Sequence, residues 1–141
     1  MNDQRLSARQ HAFWEQEHQT PVVFPSVASE RVTMGAVLLL EYLSECHKLG
    51  TLAGLEIGCG RGRNVLYMAE QGVLMRGMDF SRRALAEARQ RAITRGIANI
   101  EWLEGDVTRQ WPIQDSSVDF VFDSFLTTEI PGAENRVRIV R

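Results

Sequence analysis

The chain has 141 residues, with 16 Lys and Arg against 18 Asp and Glu and a formal net charge of −2. Its apolar fraction of 44% is enough for one domain with a core, so we expect a single domain over residues 1–141. The balanced charge argues against a general nucleic-acid binder, and no apolar run approaches the ~20 residues of a membrane span. Because the two cysteines, Cys46 and Cys59, make no disulfide framework, a cytoplasmic location is expected.

The N-terminal part is expected to be helical. Residues 1–28 predict a short amphipathic surface helix or a lid, which Thr20-Pro21 and Phe24-Pro25 end. A second helix is predicted from about Ser29 to Lys48. Its middle is apolar nearly all round, so burial on more than one side is expected.

From residue 55 onward, strand and helix patterns alternate. Strands are predicted at 55–57, 73–78, 100–103 and 118–122. A helix through 65–69 ends near Gly72, and another follows an N-cap at Ser81 and runs to about Arg95, closed by Gly96. This alternation predicts a parallel sheet built from right-handed crossovers.

A glycine-rich turn joins the first strand to its helix. Gly58, Gly60 and Gly62 occupy every second position, and Glu56 precedes them. Glycines allow the backbone to turn tightly and to approach a ligand, while the N-terminus of the next helix favours an anionic group. A nicotinamide dinucleotide fingerprint needs glycine where this chain has Arg63, which disfavours an NAD-dependent oxidoreductase.

Acidic residues follow the next two strands. Asp79, 21 residues after Gly58, is placed to accept both hydroxyls of a ribose. Asp106, in Gly105-Asp106-Val107, is placed to accept from a purine amine, and Phe80 or Val107 to sandwich the purine ring. Three consecutive strand ends therefore carry groups suited to an adenosine.

These segments together resemble the class I S-adenosylmethionine-dependent methyltransferases. Residues 55–62 (LEIGCGRG) resemble their first motif, 77–80 (GMDF) their ribose-binding acid, 105–107 (GDV) their adenine motif and 118–123 (VDFVFD) their fourth strand. The run 60–64 (GRGRN) is most similar to the tellurite-resistance and thiopurine-type small-molecule enzymes. The resemblance implies an α/β, Rossmann-like parallel sheet with helices on both faces and S-adenosyl-L-methionine as cofactor.

The resemblance also implies a set of cofactor-binding residues: Glu56, Gly58, Cys59, Gly60, Gly62, Asn64, Asp79, Phe80, Asp106, Val107 and Asp123. Asp123 is equally well interpreted as a polar residue that ends a strand. As a nucleophile Cys59 is disfavoured, since no histidine is near it in sequence, and the three histidines share no metal-ligand spacing. We therefore expect no metal site.

Methyl transfer from a sulfonium needs alignment of donor and acceptor and exclusion of water, and a base only when the acceptor carries a proton. Ser124, Thr127, Thr128 and Glu129 lie where an acceptor would sit, but the sequence identifies no base. The expected function is methyl transfer to a small-molecule acceptor. The alternative is a non-catalytic module that binds the cofactor and associates with another chain.

The resemblance further implies three strands after the fourth, whereas residues 134–140 predict only a helix before the sequence ends at Arg141. We therefore expect the C-terminal strands of the family to be missing and the fourth strand to form a sheet edge. An apolar edge is a template for pairing with another chain. A homodimer through the fourth strand or the C-terminal segment is expected, with no nucleic-acid or membrane partner.

Overall fold

The computed structural model describes residues 8–9, 11–16 and 31–130, apart from the side chain of residue 128. The helices are α1 (Met34–Cys46), α2 (Arg63–Glu70), α3 (Arg82–Arg95) and α4 (Leu126–Glu129), and the strands are β1 (Ala53–Ile57), β2 (Leu74–Asp79), β3 (Ile100–Glu104) and β4 (Phe120–Asp123). Residues 11–16 are also helical. The predicted helix over 134–140 lies outside the described residues.

All four strands are parallel and lie in the order β3-β2-β1-β4. Ile57 is level with Met78 on one side and with Asp123 on the other. The carboxyl ends of the strands therefore meet at one edge of the sheet, which is where α/β sheets of this kind bind ligands. The predicted Rossmann-like parallel sheet is confirmed, and the strand bounds differ from the predicted ones by at most two residues.

Local signals explain the ends of α3. The Ser81 hydroxyl accepts a hydrogen bond of 3.2 Å from the Ala84 amide, which is the capping contact expected from the sequence. At the other end Gly96 adopts a left-handed φ of 68°, which glycine tolerates without steric cost. Both predicted ends of this helix are confirmed.

The core lies on both faces of the sheet. On one face α1, α2 and α3 pack through Leu40, Val65 and Leu85 over Met75. On the other, the segment after β3 and helix α4 cover the strand residues; the side chains involved are Leu55, Ile57, Met78, Leu103, Val107, Trp111, Ile113, Val118, Leu126 and Ile130.

Helix α1 departs from the sequence prediction. Its apolar middle predicts burial on several sides, but Met34, Leu38 and Tyr42 are 69%, 57% and 63% exposed. Among the described residues of this helix, the buried ones are Ala36, Leu40 and Leu43, which share one face. The prediction of burial on several sides is wrong for this part of the chain, because hydrophobic composition does not specify how many neighbours a helix has.

Strand β4 pairs with β1 and stands at the end of the sheet order within the described residues. Phe120 and Phe122 pack against the helical face, whereas Val121 is 46% exposed. In this part of the chain β4 has the edge position that the sequence predicts.

Candidate functional site

The glycine turn between β1 and α2 is held in a conformation that needs glycine. Gly58, Gly60 and Gly62 have φ values of 65°, 54° and 78°. A Cβ at Gly62 would lie 2.5 Å from the Trp102 ring, and one at Gly58 would lie 2.8 Å from Cβ of Leu126. These two glycines are therefore required by packing as well as by the turn.

Gly60 differs from Gly58 and Gly62, because a Cβ there would meet no atom within 4 Å among the described residues, its two chain neighbours aside. Its amide donates a hydrogen bond of 2.8 Å to the Asp79 carboxylate. The turn therefore opens a space beside Gly60 that packing alone does not require, at the carboxyl edge of the sheet.

Asp79 ends β2 and connects three strand ends. Its second carboxylate oxygen accepts from the Ser81 amide at 2.9 Å, and its carbonyl accepts from the Gly105 amide at 3.0 Å. The side chain is 8% exposed. Asp79 is therefore a buried carboxylate that two backbone amides hold at the carboxyl edge of the sheet.

On the other side of the turn, Glu56 is the centre of a buried polar network. The Asn64 side-chain amide donates to Glu56 Oε1 at 2.7 Å and to the Ser124 hydroxyl at 2.9 Å. Asn64 Oδ1 accepts from the Thr33 amide at 2.9 Å. The network joins the start of α1, the first turn of α2 and the segment after β4 to the end of β1.

Glu56 is 2% exposed, and its Oε2 atom is buried without a hydrogen-bond partner. Burial raises the pKa of Glu56 to about 8, although the polar side chains of Asn64 and Ser124 and the charge of Arg63 lower it. The charge of Asp123 raises it further. The carboxyl group is therefore largely protonated near neutral pH, since a buried charge without a partner is costly.

Cys59 is buried between Gly58 and Gly60, and its thiol is unreactive. Burial and the charges of Asp79 and Glu56 raise the pKa of its thiol well above the usual value. A thiol in that state is a poor nucleophile, so its contribution here is packing.

The residues expected at the adenine end lie around the end of β2 and the segment after β3. The Asp106 carboxylate accepts from the amide and the hydroxyl of Thr108, at 2.9 and 2.7 Å, so it already stabilises its own turn. Val107 is buried. The Phe80 ring lies 4.7 Å from the ring of His11, a residue of the helical stretch 11–16.

Asp123 ends β4, and its carboxylate accepts hydrogen bonds from the segment that follows. It accepts from the amides of Phe125, Leu126 and Thr127, at 3.0, 2.6 and 2.8 Å, and also from the Thr127 hydroxyl. Most acceptor positions of the Asp123 carboxylate are therefore used within its own segment, as expected of a polar residue that ends a strand.

The structure brings the sequence-predicted residues into two groups that flank the glycine turn. Gly60, Asp79 and Gly105 lie on the β2 side, and Glu56 and Asn64 on the β4 side. Sequence reasoning missed Thr33 and His11. Thr33 carries a local N-cap signal for α1, but nothing in the sequence indicates its contact with a residue 31 positions away.

Two kinds of site are absent from the residues that the structure describes. No three His, Cys, Asp or Glu side chains among them are grouped so that they hold a metal ion. Within the same ranges, no helix has the length and apolar character needed to cross a membrane.

Solved structures share this architecture. Phosphoethanolamine N-methyltransferase 1 from Haemonchus contortus, in complex with phosphoethanolamine and S-adenosylhomocysteine, aligns with a TM-score of 0.74 and 21% identity over 99% of this chain and 29% of its own. An S-adenosylmethionine-dependent methyltransferase from Aquifex aeolicus gives 0.64 and 18%, covering 89% of this chain and 64% of its own. A TehB-like methyltransferase from Corynebacterium glutamicum gives 0.62 and 17%, covering 94% and 64%.

At these identities the likeness establishes the fold, and this chain spans less than two thirds of the length of each of the three proteins. A search of curated proteins finds no significant sequence match. The profile of the family described as a methyltransferase domain matches residues 55–141, which include the glycine turn, Asp79 and β4. Because that match covers more than half of the sequence, the chain belongs to the methyltransferase-domain family.

Proposed function

We propose that the chain binds S-adenosylmethionine across the carboxyl edge of its sheet and transfers the methyl group to a small-molecule acceptor. Membership of the methyltransferase-domain family supports the reaction class. The cofactor agrees with the S-adenosylhomocysteine of the Haemonchus contortus enzyme, which has the same fold. The single observation that carries the proposal is the open space at Gly60.

Gly60 supplies the test of fit for the cofactor. The residue has a left-handed φ of 54°, yet in the part of the chain that the structure describes no atom beyond its chain neighbours lies within 4 Å of the position that a Cβ would take. At Gly58 and Gly62, by contrast, a Cβ would overlap side chains of the protein. We propose that the cofactor occupies the space at Gly60 and that Gly58, Cys59 and Gly62 shape the turn around it.

For the adenosine end we propose that Asp79 accepts the ribose hydroxyls. It is buried at the end of β2 and is held in place by the Gly60 and Ser81 amides. An acidic residue at this strand end is suited to accept ribose hydroxyls. We propose that Phe80 packs on the adenine ring and that Asp106 accepts from its amine. The His11 ring against Phe80 supports the proposal that residues 1–28 act as a lid.

For the methionine end we propose that Glu56 pairs with the cofactor's α-ammonium. The carboxyl group is oriented through one oxygen by Asn64, and the other oxygen has no hydrogen-bond partner among the residues that the structure describes. A buried, unpaired carboxyl oxygen beside a ligand cleft suits a cation, because the pair satisfies both groups. Asp123 would contribute chiefly by shaping the segment next to this end.

The bound cofactor supplies an electrophilic methyl group on a sulfonium. The work of this chain is to orient that group and to exclude water, and we assign no side chain the role of a base. The Ser124 and Thr127 hydroxyls are engaged with Asn64 and Asp123. An acceptor that needs no deprotonation at neutral pH fits this arrangement, in line with the small-molecule enzymes of the tellurite and thiopurine type.

The proposed setting is a cytoplasmic homodimer formed through the β4 edge or the C-terminal segment. The edge position of β4 with the exposed Val121 supports this partner. The same edge favours the second candidate function, a non-catalytic module that binds the cofactor and pairs with another chain through β4.

Transfer of a labelled methyl group separates the two functions. The chain is incubated with methyl-labelled S-adenosylmethionine and a panel of acceptors, and the label in each product is counted. The panel contains small oxyanions, which need no deprotonation at neutral pH, and small thiols and amines, which do. Asp79→Ala, assayed at a cofactor concentration that does not saturate it, serves as the matched variant with weakened cofactor binding, because it removes the proposed ribose contact. Label transfer that this variant loses supports the enzyme. Cofactor binding without label transfer to any acceptor supports the binding module.

A further inference from the structure

Arg61 connects the glycine turn to helix α3. It lies between Gly60 and Gly62, whose φ values of 54° and 78° are both left-handed. Its Nε atom lies 2.5 Å from Oε2 of Glu87, and the two side chains are 18% and 36% exposed. Hydrogen bonds between ionised groups are shorter and stronger than neutral ones, and partial burial limits their screening by salt. The ion pair therefore links the turn to an element 26 residues further along the chain.

The turn is held on two sides. Helix α3 contacts it again next to Glu87, because a Cβ at Gly62 would lie 3.2 Å from Cβ of Ala88. On the β2 side, the Cys59 amide donates a hydrogen bond of 3.0 Å to the Met78 carbonyl. Packing and the ion pair thus fix the later half of the turn, and a backbone hydrogen bond fixes its start.

The glycines make this turn costly to fix. Glycine loses more conformational freedom on ordering than any other residue, so a glycine-rich turn that is ordered only when a ligand binds lowers the affinity for that ligand. A side chain that anchors the turn in the free protein removes part of this cost. Arg61 is placed to do so, since it lies between two of the glycines and its side chain is already paired with Glu87.

We propose that Arg61 is a positioning residue for the cofactor: through its ion pair with Glu87 it holds the glycine turn, and with it the space at Gly60, in the binding conformation before the cofactor arrives. This inference rests on the proposed function and adds to that site a residue that acts through the turn. The hydrogen bond from Nε places the guanidinium group against α3, which favours this indirect role over direct pairing with the cofactor's carboxylate.

A second arginine near the same carboxylate provides a matched control. Nε of Arg83 is 3.6 Å from Oε1 of Glu87, but both of these residues belong to α3. Removing the Arg83 guanidinium therefore takes a neighbouring positive charge from Glu87 without releasing the turn. Four variants are compared with the unmodified chain: Arg61→Met, Glu87→Gln, the double variant of these two, and Arg83→Met.

Two measurements are made on each protein. Calorimetry gives the dissociation constant of S-adenosylhomocysteine. Hydrogen exchange of the free chain reports opening of the turn, because the Gly60 amide donates to Asp79 and the Gly62 amide donates to the Cys59 carbonyl. Exchange of the β3 amides serves as the reference for opening of the whole fold.

Arg61→Met and Glu87→Gln are each expected to bind S-adenosylhomocysteine about fivefold more weakly, as for a partly exposed ion pair, and the double variant no more weakly than either. The Gly60 and Gly62 amides should exchange faster relative to β3 in these three variants. Arg83→Met should match the unmodified chain in both measurements.

Unchanged affinity or unchanged exchange of the turn amides in Arg61→Met overturns the inference. Weaker binding in Arg61→Met but not in Glu87→Gln also overturns it, because that result indicates direct contact between Arg61 and the cofactor. Failure of S-adenosylhomocysteine to bind even the unmodified chain contradicts the proposed function instead, and the exchange of the turn amides then still decides whether the ion pair holds the turn.

Discussion

The Asn64 side-chain amide donates a 2.7 Å hydrogen bond to one oxygen of the Glu56 carboxyl group, and the other oxygen is buried without a partner. Asn64 is itself 1% exposed and also binds Thr33 and Ser124. A carboxyl group oriented through one oxygen and unpaired at the other is suited to hold a proton until a cation arrives. That property makes Glu56 measurable through the stability of the chain.

The first prediction is that stability falls between pH 5 and pH 8 because of Glu56. Burial raises its pKa in the folded chain from 4.5 to about 8, so the folded state keeps a proton that the unfolded state releases. The contribution of Glu56 is therefore complete below pH 4.5 and is lost as the pH rises through about 8. The expected slope is about 1.4 kcal/mol of unfolding free energy for each pH unit in that range.

Urea unfolding at several pH values measures this slope. The glutamine of Glu56→Gln cannot ionise, so this variant should lack the contribution of Glu56 to the slope. The control is Glu45→Gln, at an exposed position, which should show the same slope as the unmodified chain. Parallel stability curves for Glu56→Gln and the unmodified chain would show that Glu56 is not protonated in the fold.

A second prediction concerns Asp79. Asp79→Ala should weaken S-adenosylhomocysteine binding by about 1–3 kcal/mol, since a charge-assisted hydrogen bond to the ribose is lost. It should also lower stability, because the Gly60 and Ser81 amides lose their acceptor. Asp119→Ala is the control. The Asp119 carboxylate accepts a hydrogen bond of 2.8 Å from the Ala53 amide, at the opposite end of β1 from the proposed site.

Calorimetric titration and thermal unfolding of both variants give the comparison. Asp119→Ala should lose stability but keep its affinity. The ribose assignment fails if Asp79→Ala binds like the unmodified chain, or if the two variants lose affinity equally.

A third prediction is that the chain dimerises through β4. Val121 is 46% exposed on this edge strand, and a lysine on an edge strand blocks pairing between chains. Val121→Lys should therefore be monomeric by sedimentation at micromolar concentration, whereas the unmodified chain should be a dimer. Leu74→Lys, at a 52% exposed apolar residue of the interior strand β2, should remain a dimer.

The outcomes separate the parts of the prediction. A monomeric unmodified chain contradicts the dimer. A dimer that survives Val121→Lys contradicts the role of β4 in forming it.

The fold was predictable wherever its signals are local. Ser81 and Gly96 mark the two ends of α3, and helical spacing identifies its buried side chains, which are Ala84, Leu85, Ala88 and Ala92. The same reasoning fails for α1, because Met34 and Tyr42 are as hydrophobic as core residues and are nevertheless exposed. Hydrophobicity records a preference for burial, whereas burial itself depends on which elements pack nearby.

The features of the candidate site also divide into those that local sequence patterns indicate and those that they do not. The glycine turn and Asp79 were recognisable because they follow strands at characteristic spacings. The contact between Asn64 and Ser124 joins residues 60 positions apart, and no local pattern encodes it. The positive φ of 123° at Phe125 was equally invisible, since phenylalanine is not a residue type that indicates such a backbone conformation.

The central claim is that S-adenosylmethionine occupies the space at Gly60, and titration of S-adenosylhomocysteine into matched glycine variants tests it most directly. Gly60→Ala and Gly96→Ala each place a Cβ in open space at a positive φ, 54° and 68°, so both carry a similar backbone cost of about 1–2 kcal/mol. Only Gly60 lies at the proposed site. We predict that the unmodified chain and Gly96→Ala bind S-adenosylhomocysteine but not NAD, and that Gly60→Ala binds it at least tenfold more weakly. Equal affinity in the two variants, or no binding to the unmodified chain, would contradict the account.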